Sequence, residues 1–288
     1  MVGQQHGSSA ARAAAPQART AVAVVAAASV VAGVGGCAGG AEAGGRNADP
    51  TQTVRQAADR LVREGSSRAR TSMEMASGGT RVTIHGDGGY DYRKGLGELR
   101  VRLPQDAAGA EEHRPITELL APGALYMKNR GAGVPADKWV RVDTTTLTDG
   151  NLVTGGATDP LAAAELLRGA RNVTERGESA IAGVRTRHYH GDVDLAAASK
   201  AASAVHKGAF AAAAKGFRKK DRVPFDVYLD DEGLIRKVTH RFSFANGRPK
   251  KDVAVASTTL YREFGKPVKV RLPAKRDIFA GKVADPGM

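Results

Sequence analysis

The feature that most constrains this chain is a period-two alternation in its C-terminal third. In Pro224–Asp230, Phe225, Val227 and Leu229 fall in one phase, and Asp226, Tyr228 and Asp230 in the other. In Leu234–Phe244, Val238, Phe242 and Phe244 share a phase with His240. Side chains on a strand point alternately to opposite faces, so each run presents one apolar face, as in an antiparallel sheet packed on one side. The turn signals Asp230-Asp231-Glu232-Gly233 and Ala245-Asn246-Gly247-Arg248 join runs at 223–230, 234–245 and 253–264 into a meander. Long antiparallel strands with one apolar face must curl around something, either helices or a ligand.

The rest of the chain repeats that pattern. Strand-like runs are expected at 69–76, 80–85, 89–93, 98–103, 124–129, 138–143, 171–176 and 180–194, separated by Gly-rich or charged turns. A first helix fits Pro50 to Glu64, where Val54, Ala57, Ala58, Leu61 and Val62 share a face. A second begins at Asp159-Pro160, with Asp as N-cap and Pro in the first turn. A third is expected over 195–219, with Lys200, Lys207 and Lys215 on one face and Leu195, Ala198, Ala202, Val205 and Ala209 on another. Strands with a few helices laid on one face define an α+β domain.

The N-terminus reads as an address. Arg12 and Arg19 precede an uncharged stretch from Thr20 to Gly36, an n-region and h-region in secretory order. The stretch ends in Val34-Gly35-Gly36-Cys37, which resembles a bacterial lipobox, and Cys37 is the only cysteine of the chain. That resemblance implies cleavage before Cys37 and lipidation of its thiol. Residues 1–36 are therefore read as a lipoprotein signal, 37–52 as a flexible tether and 53–288 as one domain. Gly-rich residues 38–50 read as a flexible linker, and a coil of that length would span on the order of 20 Å. Losing the signal removes two of the chain's +13 charges, so the mature protein keeps +11. A basic exported protein on acyl chains would sit over anionic headgroups, at the outer face of the cytoplasmic membrane. Nucleic acid is a poor partner: export disfavours it, and aromatic residues are only 5% of the chain, thin for stacking bases. The Ala-, Gly- and Arg-rich composition is what a GC-rich genome, such as an actinobacterial one, encodes.

A series of landmarks carries a family resemblance. The helix and first meander are followed by Ala124-Leu125-Tyr126-Met127 and Lys138-Trp139-Val140-Arg141-Val142-Asp143. Asp159-Pro160 with its Leu-Leu helix comes next, then Gly177-Glu178, Ile181-Ala182-Gly183-Val184 and Tyr189-His190-Gly191-Asp192-Val193-Asp194. Pro224 to Leu234 closes the series. In this order, over about residues 53–265, the chain resembles the LppX/LprG-type lipoproteins of actinobacteria, which have the half-barrel fold of LolA and LolB. The resemblance implies a curved antiparallel sheet whose concave face is covered by helices, an acylated lipid or glycolipid held in between, and no enzyme activity. The apolar phase then makes Leu125, Met127, Val140, Val142, Phe225, Val227, Leu229, Phe242 and Phe244 the expected cavity wall. Lys200, Lys207 and Lys215 become candidates for headgroup contact. The alternative is an envelope lipoprotein with a filled core that docks a partner protein.

Other chemistries lack an anchor. His188 and His190 would face the same side of a strand, a spacing that can hold a metal, but no third or fourth ligand accompanies them, so no metal is expected. His85, His113, His206 and His240 are scattered. There is no G-x-S-x-G elbow, and Gly95-Leu96-Gly97 has Arg100 where a dinucleotide loop needs its third glycine, so neither a catalytic residue nor a cofactor is assigned.

Overall fold

The computed structural model describes residues 49–281 apart from 78, 105–113, 132, 154–157, 218–221 and 246–251. Cys37, and the Arg218-Lys219-Lys220 run after the third expected helix, lie outside the described residues. The chain starts with α1 (Pro50–Arg55) and α2 (Ala57–Glu64). The Asp49 carboxylate accepts from the Thr51 N–H at 3.0 Å and caps the first turn. The single helix expected here is divided at Gln56, and Val54, Ala57, Ala58 and Leu61 are fully buried on the expected face.

Six strands follow: β1 (Ser66–Ser77), β2 (Thr80–Asp91), β3 (Leu96–Arg102), β4 (Ile116–Ala121), β5 (Ala124–Lys128) and β6 (Trp139–Asp143). After α3 (Pro160–Glu165) come β7 (Ala170–Ile181), β8 (Val184–Val193), α4 (Leu195–Ala201), α5 (Lys207–Gly216), β9 (Val223–Leu229), β10 (Ile235–Ala245) and β11 (Asp252–Arg262). All these strands belong to one antiparallel sheet, in the order β6-β5-β4-β3-β2-β1-β11-β10-β9-β8-β7. Two meanders share a seam where β1 pairs with β11, and β6 and β7 remain unjoined edges. The architecture is an open α+β half-barrel.

The departures from the expected elements have local causes. Two runs at 80–85 and 89–93 are one strand, β2, because Gly86, Gly88 and Gly89 do not interrupt it. A Cβ at Gly88 would overlap the Glu98 carbonyl, so the glycine permits close approach of β3 rather than a turn. The single run at 180–194 is a hairpin, since Ala182 and Gly183 both take positive φ (50° and 81°) in a two-residue turn. Strand β4 was not expected at all. Its inward phase reads Ile116, Glu118, Leu120, and the carboxylate breaks the apolar pattern.

The third expected helix is also corrected. It is broken into α4 and α5, so Lys200 stands on one helix and Lys207 and Lys215 on another. The break occurs because local polar bonds outcompete helix continuity. Ser203 donates through its Oγ to Glu165 Oε2 (2.9 Å), and Ser199 Oγ donates to the Lys207 carbonyl (3.1 Å).

Helices and sheet close over a common core. Leu161, Leu166, Leu167, Leu195 and Phe210 are buried in the same cluster as the inward strand residues. The start of α3 is tied to the middle of the sheet by Tyr90 Oη donating to Asp159 Oδ2 (3.0 Å) and Tyr261 Oη donating to the Pro160 carbonyl (2.7 Å). The exposed edges are blunted. At one edge the chain's own Ile278 bridges to Trp139 on β6, and at the other β7 carries two irregularities in its register.

Candidate ligand-binding site

The expected wall residues take the phase read from the sequence and fall at two parts of the strand order. Leu125 pairs with Val142 and Met127 with Val140 at the β5–β6 end of the sheet. Val227 pairs with Val238, and Phe225 with His240, across the β9–β10 seam. By strand order, β5 and β9 are separated by β4, β3, β2, β1, β11 and β10. Leu125, Met127, Val140, Phe225, Val227, Leu229 and Phe242 are buried in the core cluster, and Val142 packs against it. The side chain of Phe244 lies outside the described residues. Lys200, Lys207 and Lys215 are all exposed.

Open space lies elsewhere. A pocket of about 300 Å³ sits at the ends of β3, β4 and β5, lined by Leu103, Ile116 and Val134 together with Arg114, Asn129 and Arg130. Sequence reasoning picked none of these residues. Leu103 continues the inward phase of Leu99 and Val101, and Ile116 opens β4. Ile116 belongs to the core cluster, and Leu103 and Val134 pack against it, so the apolar floor of the pocket is continuous with the concave core. The two guanidinium-bearing residues give the same pocket a cationic lining. Asn129 takes a left-handed conformation (φ 62°) at the end of β5, which an asparagine tolerates better than most residues. A second pocket, of about 190 Å³, is formed by Asp91, Lys94 and Leu96 with Val268–Val270.

Beside the first pocket the concave face carries a carboxylate. Register aligns Gly88, Leu99, Glu118, Met127 and Val140 in one row across five strands. Glu118 is fully buried, and neither carboxylate oxygen has a hydrogen-bond partner among the described residues. Burial pushes its carboxyl up to about 8, with Arg130 pulling weakly the other way, so Glu118 is neutral at pH 7. A neutral carboxyl in such a setting has an O–H to donate and an oxygen to accept.

His240 is the counterpart at the other end of the face. It is buried, its Nε2 has no partner among the described residues, and it lies near the rings of Phe225 and Phe242. Burial, helped by the Arg241 charge, holds its imidazole down at about 3, so it is an uncharged polar spot in an apolar wall.

The histidine pair found by spacing lies on the opposite, convex face. His188 Nε2 and His190 Nδ1 are 2.8 and 3.1 Å from the same oxygen of Asp226, and Arg241 donates to the other oxygen at 2.5 Å. Burial pushes the Asp226 carboxyl up, but hydrogen bonds from Arg241, His188 and His190 prevail and hold it at about 2. The His188 ring stacks on Tyr228 with centroids 4.5 Å apart. Sequence reasoning missed Asp226 and Arg241 as partners, because both come from other strands. Among the described residues, no group of three His, Cys, Asp or Glu is arranged to hold a metal.

The fold places the chain in the class of open half-barrels whose concave face is covered by helices. No protein-family model and no curated protein sequence matches it. Among solved structures it is similar to the lipoprotein LppX of Mycobacterium tuberculosis, at 12% identity and a TM-score of 0.45, covering 77% of this chain and 98% of that one. It is similar also to LprF from Mycobacterium bovis, at 14% identity and a TM-score of 0.39, covering 78% and 97%. The Pseudomonas aeruginosa MucA/MucB complex is matched at 15% identity and a TM-score of 0.32, covering 82% of this chain and 64% of the other.

Proposed function

We propose that this protein is an exported lipoprotein, anchored through Cys37 to the outer face of the cytoplasmic membrane, whose half-barrel binds an acylated lipid without catalysing a reaction. The observation that carries the lipid reading is the pocket at the ends of β3–β5. It joins an apolar floor of Leu103, Ile116 and Val134, continuous with the core, to a rim bearing Arg114 and Arg130. An amphiphile needs both parts. At about 300 Å³ the pocket is at the lower end of small-ligand sites, enough for a head and the first stretch of a chain. The rest of a chain would run along the concave face toward Met127 and Leu125, displacing packed side chains. Exposed Lys200, Lys207 and Lys215 on α4 and α5 add positive charge for an anionic membrane surface.

A filled core that docks a partner protein is the second reading. It is favoured by a specific observation: neither pocket is lined by any of the nine residues expected to form the cavity wall. Mass spectrometry of an organic extract of the purified mature domain separates the two. A bound acyl lipid in stoichiometric amount, lost in an Arg130→Glu variant that melts normally, supports the first reading. A lipid-free protein that also fails to take up a fluorescent fatty-acyl probe overturns it and leaves the docking module.

A further inference from the structure

Among the described residues, fully buried Glu118 has both carboxylate oxygens without a hydrogen-bond partner. Burying a carboxyl without a hydrogen-bond partner is costly, whereas a leucine at the same place would extend the Leu99–Met127 row. The position is not remote from open space. Ile116, which lines the pocket, precedes Glu118 by two residues on the same face of β4, so Glu118 is buried about 7 Å beyond it, behind the pocket lining. Arg130, on the pocket wall, is the charged group that bears on it. Leu99 and Met127 flank it across the sheet, and Ile116 and Leu120 along the strand. A molecule entering over the arginines and displacing the packing beyond Ile116 would meet a cationic rim, then a short apolar stretch, then one carboxyl, then apolar wall again.

That sequence of environments matches one ligand chemistry, and it rests on the lipid reading above. We propose that the pocket selects an anionic acyl-ester lipid, its charged head held between Arg114 and Arg130 and its ester carbonyl accepting a hydrogen bond from Glu118. In such a lipid the ester lies a few bonds inside the head and immediately outside the acyl chain, the position Glu118 has between the arginines and the Leu120–Leu125 wall. An alkyl ether places a weaker acceptor there, with no carbonyl. It would leave Glu118 without its partner while keeping the same head and tail. Burial supplies the donor, since it keeps the carboxyl neutral, and a neutral carboxyl approached by an anion avoids a like-charge penalty.

The test is calorimetric titration of the mature protein with dihexanoyl phosphatidylglycerol, its dihexyl ether counterpart and glycerol phosphate. The native protein is expected to bind the ester lipid about tenfold more tightly than the ether, the size of one buried hydrogen bond. Glu118→Gln keeps an N–H donor and should keep the preference. Glu118→Leu should bind both lipids equally and melt no lower than the native protein, because it removes an unpaired buried polar group. Arg130→Gln should weaken both lipids together and leave the ester preference intact. Equal binding of ester and ether by the native protein, or an ester preference that survives in Glu118→Leu, overturns the role of Glu118 while the lipid reading stands. Glycerol phosphate binding as tightly as the ester lipid reduces the pocket to a bare anion site and overturns the proposal. Failure of the native protein to bind either lipid defeats the lipid reading itself.

Discussion

Nδ1 of His206 lies 2.9 Å from Oε2 of Glu165, in a site where both side chains are almost wholly removed from water. On its other side the ring has Nε2 3.5 Å from Asp159 Oδ2, which also accepts from Tyr90. Arg168 joins Glu165 to Asp59 of α2, at 3.5 and 2.8 Å. The cluster therefore links α2, α3, the start of α5 and β2. Burial lowers the His206 imidazole, but Asp159 and Glu165 overcome it and raise it to about 9, so the ring is charged at neutral pH. A folded value above the ordinary one near 6.5 means stability that is fully present below pH 6.5 and lost as pH rises through about 9. His206→Leu leaves two buried carboxylates short of their cation and should cost about 3–5 kcal/mol at pH 6. Thermal melts of both proteins between pH 6 and 10 should show the gap narrowing with rising pH. A gap independent of pH would remove the charge from this account.

The buried wall yields a second prediction. Val227 is fully buried in the core, whereas Tyr228, next to it in sequence, lies on the convex face against His188. Val227→Trp should lower stability by about 1–3 kcal/mol through overpacking, and Tyr228→Trp should change it little. Denaturant unfolding of the two variants measures both. A native-like Val227→Trp that no longer takes up a fluorescent acyl probe would show that space exists at β9 and shift the ligand from the β3–β5 pocket to the expected cavity.

What was legible in the sequence follows from the range of each physical signal. Period-two phase is local, so Phe225, Val227 and Leu229 were assigned to the buried face correctly, as were Leu125, Met127 and Val140. The sharing of a seam by β1 and β11 is not local, and neither is the separation of β5 from β9 by six strands. Phase therefore identified the buried residues, while the strand order that sets them at two parts of the sheet was not readable from it. Strand β4 escaped because Glu118 interrupts its apolar phase, so the residue that hid the strand is also the one that marks the candidate site. His206 was dismissed as isolated in sequence. Its partners Asp159 and Glu165 come from the start and end of α3, which only tertiary packing brings to it.

Membrane attachment is expected to depend on Cys37. A Cys37→Ser variant should leave the membrane fraction on washing with high salt, while the native protein stays. The wash matters because cleavage before Cys37 would leave a charge of +11 able to attract anionic lipid on its own, and salt screens that attraction within about 10 Å at 0.1 M. Equal retention of both proteins after the wash would place the anchor outside Cys37.

The convex cluster at Asp226 gives the last prediction, in acid. Three donors, Arg241, His188 and His190, converge on this one carboxylate and hold it at about 2, below the 3.8 of a free aspartate. A folded value below the unfolded one contributes stability that is present above pH 3.8 and lost as pH falls through about 2. Asp226→Asn abolishes that titration but keeps the shape, so native and variant melts should differ at pH 5 and converge toward pH 2. The side chain retains some exposure, so the difference is expected to shrink with added salt. The same melts run with chelator test the metal question, because a His-Asp-His ion site would make the melting temperature fall on chelation, and the fall would vanish in His188→Ala/His190→Ala. With the histidines acting as donors to Asp226, chelator should change nothing, while the double variant should lose part of the acid resistance that Asp226→Asn loses. A double variant as acid-resistant as the native protein would mean that Arg241 alone holds the carboxylate down.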